Sequence, residues 1–258
     1  MLAPLIRAEM TWPEVARCVE EGKPIALVVG ATEQHGPHLP LGTDVLCPYE
    51  VLKRVAAQTP LVLAPSLTYG YKSRPLSGGG QGFIGTTSLT ASTLIALVHD
   101  VVGEFLRHGW RHILVVQDHL ENQNLVYEGI DLAVRDRGSG RSKIVLVEDW
   151  LAELRPEDMA QLFPNGFPGW AIEHASVLET SALLYLRPDL VRADLIADDA
   201  APRRPAGYDV IPPPPDMVPA SGVLSAATQG SRAKGEILVR EGERYFLALL
   251  RREFGVTA

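Results

Sequence analysis

Residues 33–44 read Glu33-Gln34-His35-Gly36-Pro37-His38-Leu39-Pro40-Leu41-Gly42-Thr43-Asp44, and shortly before them Pro24 to Gly30, PIALVVG, forms an apolar run. A short continuous apolar run bounded by turn residues reads as a buried strand, so acids and imidazoles stand at a strand's end. Glu33, His35 and Asp44 offer one nitrogen and two carboxylates, the ligand mixture that suits zinc or manganese. The stretch therefore points to a metal-dependent hydrolase.

Working outward, Thr11-Trp12-Pro13-Glu14 has capping-box spacing with an early proline, which predicts a helix running to Gly22. The strand PIALVVG, a helix around Cys47 to Ala57 and the apolar run Leu61 to Ala64 then make a βαβ-like unit. A helix from about Ser92 to His108, the strand His112 to Gln117, a helix from about Asn122 to Arg137 and the strand Lys143 to Val147 continue the alternation. That order predicts one α/β domain over residues 1–258, a three-layer α/β/α arrangement with a mainly parallel central sheet. In such sheets ligands gather beyond the carboxyl ends of the strands, where both 33–44 and 117–122 fall. Further on, a helix is expected from about His174 to Tyr185. Residues 202–222, with the run Pro212 to Pro215, read as an ordered irregular arm at a subunit contact, followed by a final helix from about Ala226 to Arg252.

The 258 residues, 46% hydrophobic and 21% charged, suffice for a sizeable single core. A formal charge of −7 with dispersed acids leaves no basic footprint for nucleic acid, so a small-molecule partner is expected. Cys18 and Cys47 lie outside any C-x-x-C pair and read as buried thiols. The first residues lack a basic start with a long apolar segment, and no stretch approaches the roughly 20 apolar residues of a membrane span. The expectation is a cytoplasmic protein without a membrane partner.

The segment Gln117-Asp118-His119-Leu120-Glu121-Asn122 follows its strand directly and adds an imidazole and a carboxylate two residues apart. Two strand ends thus offer five ligands, enough for two divalent ions if Asp44 bridges them. The expected assignment is one ion on Glu33, Asp44 and His119 and the other on His35, Asp44 and Glu121. Two ions roughly 3.5 Å apart lower the pKa of a shared water toward neutrality and supply a nucleophile for a carbonyl carbon. His38 reads as an outer or loop residue, and His99, His108 and His112 as structural or exposed.

A literal G-x-G-x-x-G spans Gly80 to Gly85, but no strand feeds into it and no helix opens at its third glycine, so a pocket-lining loop explains it better than a nucleotide site. Trp150 and Trp170 bracket a stretch dense in Phe-Pro and Arg-Pro turns next to Glu173-His174, which reads as a lid whose indoles cover a flat ligand. His174 is then placed to shuttle a proton.

These segments resemble the creatininase (creatinine amidohydrolase) family along almost the whole chain. The likeness rests on E-Q-H-G-P-H-L-P-L-G-T-D, Y-G-Y-K-S at 69–73, S-G-G-G at 77–80, F-I-G-T-T-S-L at 83–89, H-L-E-N at 119–122, E-G-I-D-L-A at 128–133, G-W-A-I-E-H at 169–174 and V-L-E-T-S at 177–181. Several of them look like creatininase proper. The resemblance implies an α/β fold, a binuclear manganese or zinc centre and a homo-oligomer, commonly a hexamer. It implies that Glu33, His35, Asp44, His119 and Glu121 are ligands, that His174 is the acid/base catalyst working with Glu121, that Ser77 lines the pocket and that Trp150 and Trp170 close it.

Two departures stand out. Where the family typically reads N-G-H-Y-E-N this chain has Q-D-H-L-E-N, and where it reads G-W-D-I-E-H this chain has Ala171, so Leu120 and Ala171 replace two polar groups expected near the substrate. Losing a buried hydrogen-bond partner costs roughly 1–3 kcal/mol, enough to change substrate preference. The sequence thus supports hydrolysis of a cyclic amide, with creatinine as the named candidate, against a formamide, pyrimidine-like or peptide amide, or a metal-binding scaffold without catalysis.

Overall fold

In the computed structural model, residues 3–199, 208–214 and 217–256 are described. Five parallel strands, β1 (Leu5–Ile6), β2 (Ile25–Val29), β3 (Val62–Leu63), β4 (His112–Gln117) and β5 (Lys143–Val147), lie in the order β1-β3-β2-β4-β5. The expected three layers follow from the period of two along these strands. Ile25, Leu27, Val29, Ile113 and Val115 face one core with helices α1 (Trp12–Glu20), α3 (Ala91–Arg107) and α4 (Gln123–Arg137). Ala26, Val28, Leu114 and Val116 face the other with α2 (Thr43–Ala56), α6 (Val177–Leu186) and α7 (Arg232–Phe254).

Handedness explains which helix goes where. Parallel crossovers are right-handed, so a step from β2 to β3 puts its helix on one face and steps in the opposite direction, β1 to β2, β3 to β4 and β4 to β5, put theirs on the other. The direction reverses around β2, and the crevice between β2 and β4 opens beyond their carboxyl ends.

Several boundaries differ from the sequence reading. The sequence reading has no counterpart to the short edge strand β1, and the helix α5 (Pro156–Leu162) begins at a proline inside the stretch expected to be loops. α2 begins at Thr43, so Asp44 lies in a first helical turn and not in a loop. α6 begins only at Val177 because Ala175 takes a positive φ of 53°, which leaves His174 in the connection before it. α7 starts at Arg232, where Ser231 Oγ accepts from the Lys234 N–H, and not at Ala226.

The Pro-rich arm falls partly outside the described residues, at 202–207, 215 and 216. Its described end packs onto the rest of the chain: Met217, Val223 and Leu224 are buried. The Leu224 N–H donates to the His174 carbonyl at 3.2 Å. Both cysteines are free and buried, and among the described residues no helix is long and apolar enough to cross a membrane.

α6 and α7 pack through Gly235, where a Cβ would overlap the Ser181 carbonyl. Gly235→Ala is expected to lower stability by about 1–3 kcal/mol, the range for overpacking, seen as a lower urea midpoint at an unchanged m-value.

Candidate metal centre

Val29 and Gln117 are paired across neighbouring strands, so residues 30–44 and 118–122 leave the sheet side by side. Gly30 lets α2 close onto the strand end: a Cβ there would stand 2.6 Å from the Asp44 carbonyl oxygen and from Val45 Cγ2. Asn122 stitches the loops together, its Nδ2 donating to the Gly30 carbonyl at 2.9 Å and its Oδ1 accepting from the Tyr71 N–H at 2.8 Å.

Asp44 sits at the centre. Its Oδ1 lies 2.8 Å from His35 Nε2 and its Oδ2 lies 3.1 Å from His119 Nδ1. Glu33 Oε2 stands 3.3 Å from the same His119 nitrogen. On the other side, Glu179 Oε1 is 3.5 Å from His35 Nε2, and the His174 ring lies 4.4 Å from that of His35. The donor atoms fall into two tight sets, Glu33 with Asp44 and His119, and His35 with His174 and Glu179.

Both imidazoles are tethered by their other nitrogen. His35 Nδ1–H donates to the Glu33 carbonyl at 3.1 Å and His119 Nε2–H to the Tyr71 carbonyl at 2.9 Å. Carbonyls only accept, so each proton is held there and the remaining lone pair is turned toward carboxylate oxygens. His35 Nε2 and Asp44 Oδ2 are buried and make no hydrogen bond among the described residues, despite their near neighbours. Lone pairs that converge without a hydrogen between them require a cation or added protons, so the donor set fits divalent ions.

Without cations, protonation must serve. Burial opposes charging His119, but the Asp44, Glu33 and Glu121 carboxylates outweigh it and raise its pKa to about 9. Burial likewise opposes His35, and Asp44 and Glu179 still raise it well above the usual value. Asp44, whose burial would raise it, is held below the usual carboxylate range by the two imidazoles. Burial pushes Glu173 up to about 8 and, together with the charge of Asp44, pushes Asp118 well above the carboxylate range. Burial and the neighbouring His35 lower His174.

Glu121 stands slightly apart from both sets. Its Oε1 accepts from the Ser77 hydroxyl and from the Arg74 N–H at 3.2 Å, and its Oε2 lies 3.5 Å from His119 Nε2. The glycine-rich loop closes over Glu33: Ser73 Oγ donates to Glu33 Oε1, and Gly78 and Gly80 approach so near that a Cβ on either would press on that oxygen. The loop therefore packs on a carboxylate, with Ser77 facing the cavity.

That cavity, of about 340 Å³, opens beside both sets and is also lined by Asp118, Leu120, Trp150, Trp170 and His174. The two tryptophans do different things. Trp150 is 4% exposed; its Nε1–H donates to Asp118 Oδ1 at 2.9 Å, and a Cβ on Gly242 would lie 2.6 Å from its ring. It forms a buried wall of the cavity. Trp170 is 45% exposed at the mouth with its edge on Phe167, beside the exposed Leu120 and Ala171.

His38 lies behind the centre, its Nε2 2.8 Å from Thr180 Oγ1, and His99, His108 and His112 are remote from it. Glu179 was not picked out from the sequence. Its signal was present: a lone acid in the first turn of VLETSALLYL, an otherwise apolar and largely buried helix, needs a partner.

A parallel sheet covered on both faces, with imidazoles and carboxylates converging at its carboxyl edge, defines an α/β protein of the metal-centre type. The profile of the Creatininase family, described as creatinine amidohydrolase, matches residues 8–250. A creatinine amidohydrolase of Pseudomonas putida is 42% identical over 96% of this chain and 97% of its own length. A solved manganese creatininase is also 42% identical and superposes with a TM-score of 0.91, covering 97% of this chain and 99% of its own. A mycofactocin precursor peptide peptidase of Mycolicibacterium smegmatis is 30% identical, with 84% of this chain and 81% of the relative covered. The chain belongs to the creatininase family of amidohydrolases.

The raised imidazoles and carboxyls share one sign. A group whose folded pKa exceeds its unfolded value stabilises fully below the unfolded value and loses that contribution as pH rises through the folded one. For His119 that window runs from about 6.5 to about 9. Chelator-stripped protein should therefore lose thermal stability as pH rises across this window, and zinc or manganese should flatten the slope. Differential scanning calorimetry with and without metal checks it.

Proposed function

We propose that this protein hydrolyses the C–N bond of a small cyclic amide, creatinine being the substrate and creatine the product. The observation that carries the reading is the pair of buried donor sets joined through Asp44 beside a cavity of about 340 Å³. In this reading one cation rests on Glu33, Asp44 and His119, and the other on His35, Asp44 and Glu179. Zinc and manganese both accept this donor chemistry. Bound there, such ions polarise a carbonyl oxygen and acidify water.

The chain's own residues do the rest. Glu121, held by the Ser77 hydroxyl and the Arg74 N–H, takes the proton that water loses on attack and delivers it to the ring nitrogen as the C–N bond breaks. This places Glu121 as a proton carrier, whereas the sequence reading also made it a ligand; Glu179 takes that position in the second set because it approaches His35. His174 faces the same space and assists the reacting amide. Trp150 with Asp118 forms the fixed wall, and Trp170 covers the mouth. The enzyme works in the cytoplasm as a homo-oligomer, with a hexamer as the form the family resemblance favours.

A second reading, a larger amide or peptide substrate, draws on the exposed Leu120 and Trp170 at the mouth and on the likeness to a peptide peptidase. The deciding experiment is creatinine-to-creatine conversion by protein loaded with manganese or zinc, with metal content measured on the same sample. Bound metal without turnover rejects creatinine and redirects the search to peptide and formyl amides.

Three variants sharpen the test. His174→Ala should keep its metals and lose about 10²–10⁴-fold in kcat, the usual scale for a group acting on the reacting centre. Glu179→Gln should lower bound metal by about one equivalent, read by plasma emission spectrometry, because it removes one ligand of the second set. The double variant Leu120→Tyr with Ala171→Asp should raise kcat/KM for creatinine about tenfold, the worth of one or two hydrogen bonds to the substrate at the cavity mouth.

A further inference from the structure

Gln34 stands between two proposed ligands, and its side-chain nitrogen reaches His174 of the second donor set. It is 5% exposed. Its Oε1 accepts from the Gly36 N–H at 2.9 Å, and its Nε2 lies 3.0 Å from the Gly78 carbonyl and 3.1 Å from the Gly222 carbonyl. A backbone N–H can only donate and a carbonyl can only accept, so these three backbone groups fix which end of the amide is nitrogen.

That nitrogen also lies 2.9 Å from His174 Nε2. An amide NH₂ has hydrogens to give and no lone pair to offer, so the facing ring nitrogen must accept and cannot itself carry a hydrogen. Two amide hydrogens then serve three acceptors. His174 Nδ1, on a side chain that lines the cavity, makes no hydrogen bond among the described residues.

We infer that Gln34 is a positioning residue that holds the neutral His174 ring with its hydrogen on Nδ1, so that His174 offers the bound amide a hydrogen bond and does not relay protons. The inference rests on the proposed placement of the substrate beside His174. It also keeps His174, although close to His35 and Glu179, outside the proposed ligands, because a nitrogen that carries hydrogen has no lone pair for a cation. A neutral imidazole that must keep Nε2 unprotonated cannot surrender its Nδ1 hydrogen without becoming an anion. Proton movement is therefore left to Glu121, and His174 supplies a fixed dipole where charge develops.

Gln34 joins the metal loop to two other segments, the glycine-rich loop at Gly78 and the end of the Pro-rich arm at Gly222. Gly222 is forced to be glycine twice over: its φ is +79°, and a Cβ would overlap the Gln34 amide. The arm is thus part of the device that orients His174, and the Leu224 N–H bond to the His174 carbonyl, at 3.2 Å, fixes the backbone of the same residue.

The test is two-bond ¹H–¹⁵N correlation on zinc-loaded protein labelled with ¹⁵N-histidine, with the His174 signals assigned by their loss in His174→Gln. The native protein should show a hydrogen-bearing Nδ1 and a bare Nε2. Gln34→Glu presents an acceptor in place of the donor, so the hydrogen should move to Nε2 and kcat should fall by about tenfold or more, with KM changing by less than about threefold. Gln34→Met, which removes the donor without adding charge, should give a mixture of both ring forms with the metal content retained, and it stands in if the charged variant fails to fold.

A native His174 with its hydrogen on Nε2, or with Nδ1 bound to zinc, overturns the inference. So does a ring that keeps its hydrogen on Nδ1 in both variants. The spectra need no turnover, so a protein inactive on creatinine would count against the proposed substrate while leaving this result to stand or fall alone.

Discussion

Crowded negative charge governs this molecule. Glu33, Asp44 and Glu179 bring carboxylates to two imidazole nitrogens in a region where Glu33, His35, Asp44 and His119 are all buried. Taking one such charge out of water costs several kcal/mol, so the arrangement persists only with positive charge of equal weight among the oxygens. The imidazole tethers to the Glu33 and Tyr71 carbonyls are the complementary half of the arrangement: they fix where hydrogens are, and so where lone pairs are.

The surrounding chain is shaped to let groups come this close. Gly30 admits the first turn of α2 and Gly70 admits Gly30 and Asn122, while Gly78 and Gly80 bring a loop against the Glu33 carboxylate. At each position a methyl group would stand where an oxygen or a carbonyl now does. The glycines that look like a nucleotide motif in the sequence are thus explained by contact with a side chain of the same protein. Trp150 obeys the same logic from the far side, since Gly242 clears the space for its ring.

The architecture was legible because its causes are local. PIALVVG, HILVVQ and KIVLV are apolar runs separated by helical stretches, and the right-handed crossover rule leaves little freedom in how they assemble. The convergence of 33–44 and 117–122 was legible too, because both follow strands that prove to be neighbours. What escaped notice depends on distant contacts. Glu179 is remote in sequence from His35, and its meaning appears only when α6 packs over α2. Gln34 reads as a spacer between ligands until Gly78, Gly222 and His174 are placed around it. The packing of Trp150 against Gly242 of α7 is likewise a contact that its proline-rich neighbourhood does not reveal.

The same long reach sets an order of events during synthesis. The centre draws its parts from residues 33, 35, 44, 119 and 179, and its outer brace from Gly222, Leu224 and Gly242, so they come from far apart along the chain. Sheet strands β1 to β5 leave the ribosome long before α6 and α7, which complete one of the two hydrophobic layers and bring Glu179 into place. The donor atoms therefore come together only after α6 has packed, and a chain made only through β5 carries unpaired carboxylates with nothing to gather them. The donor groups therefore depend on elements made after the sheet, and loss of α7 would remove the packing of Gly242 on the Trp150 ring along with a layer of the core.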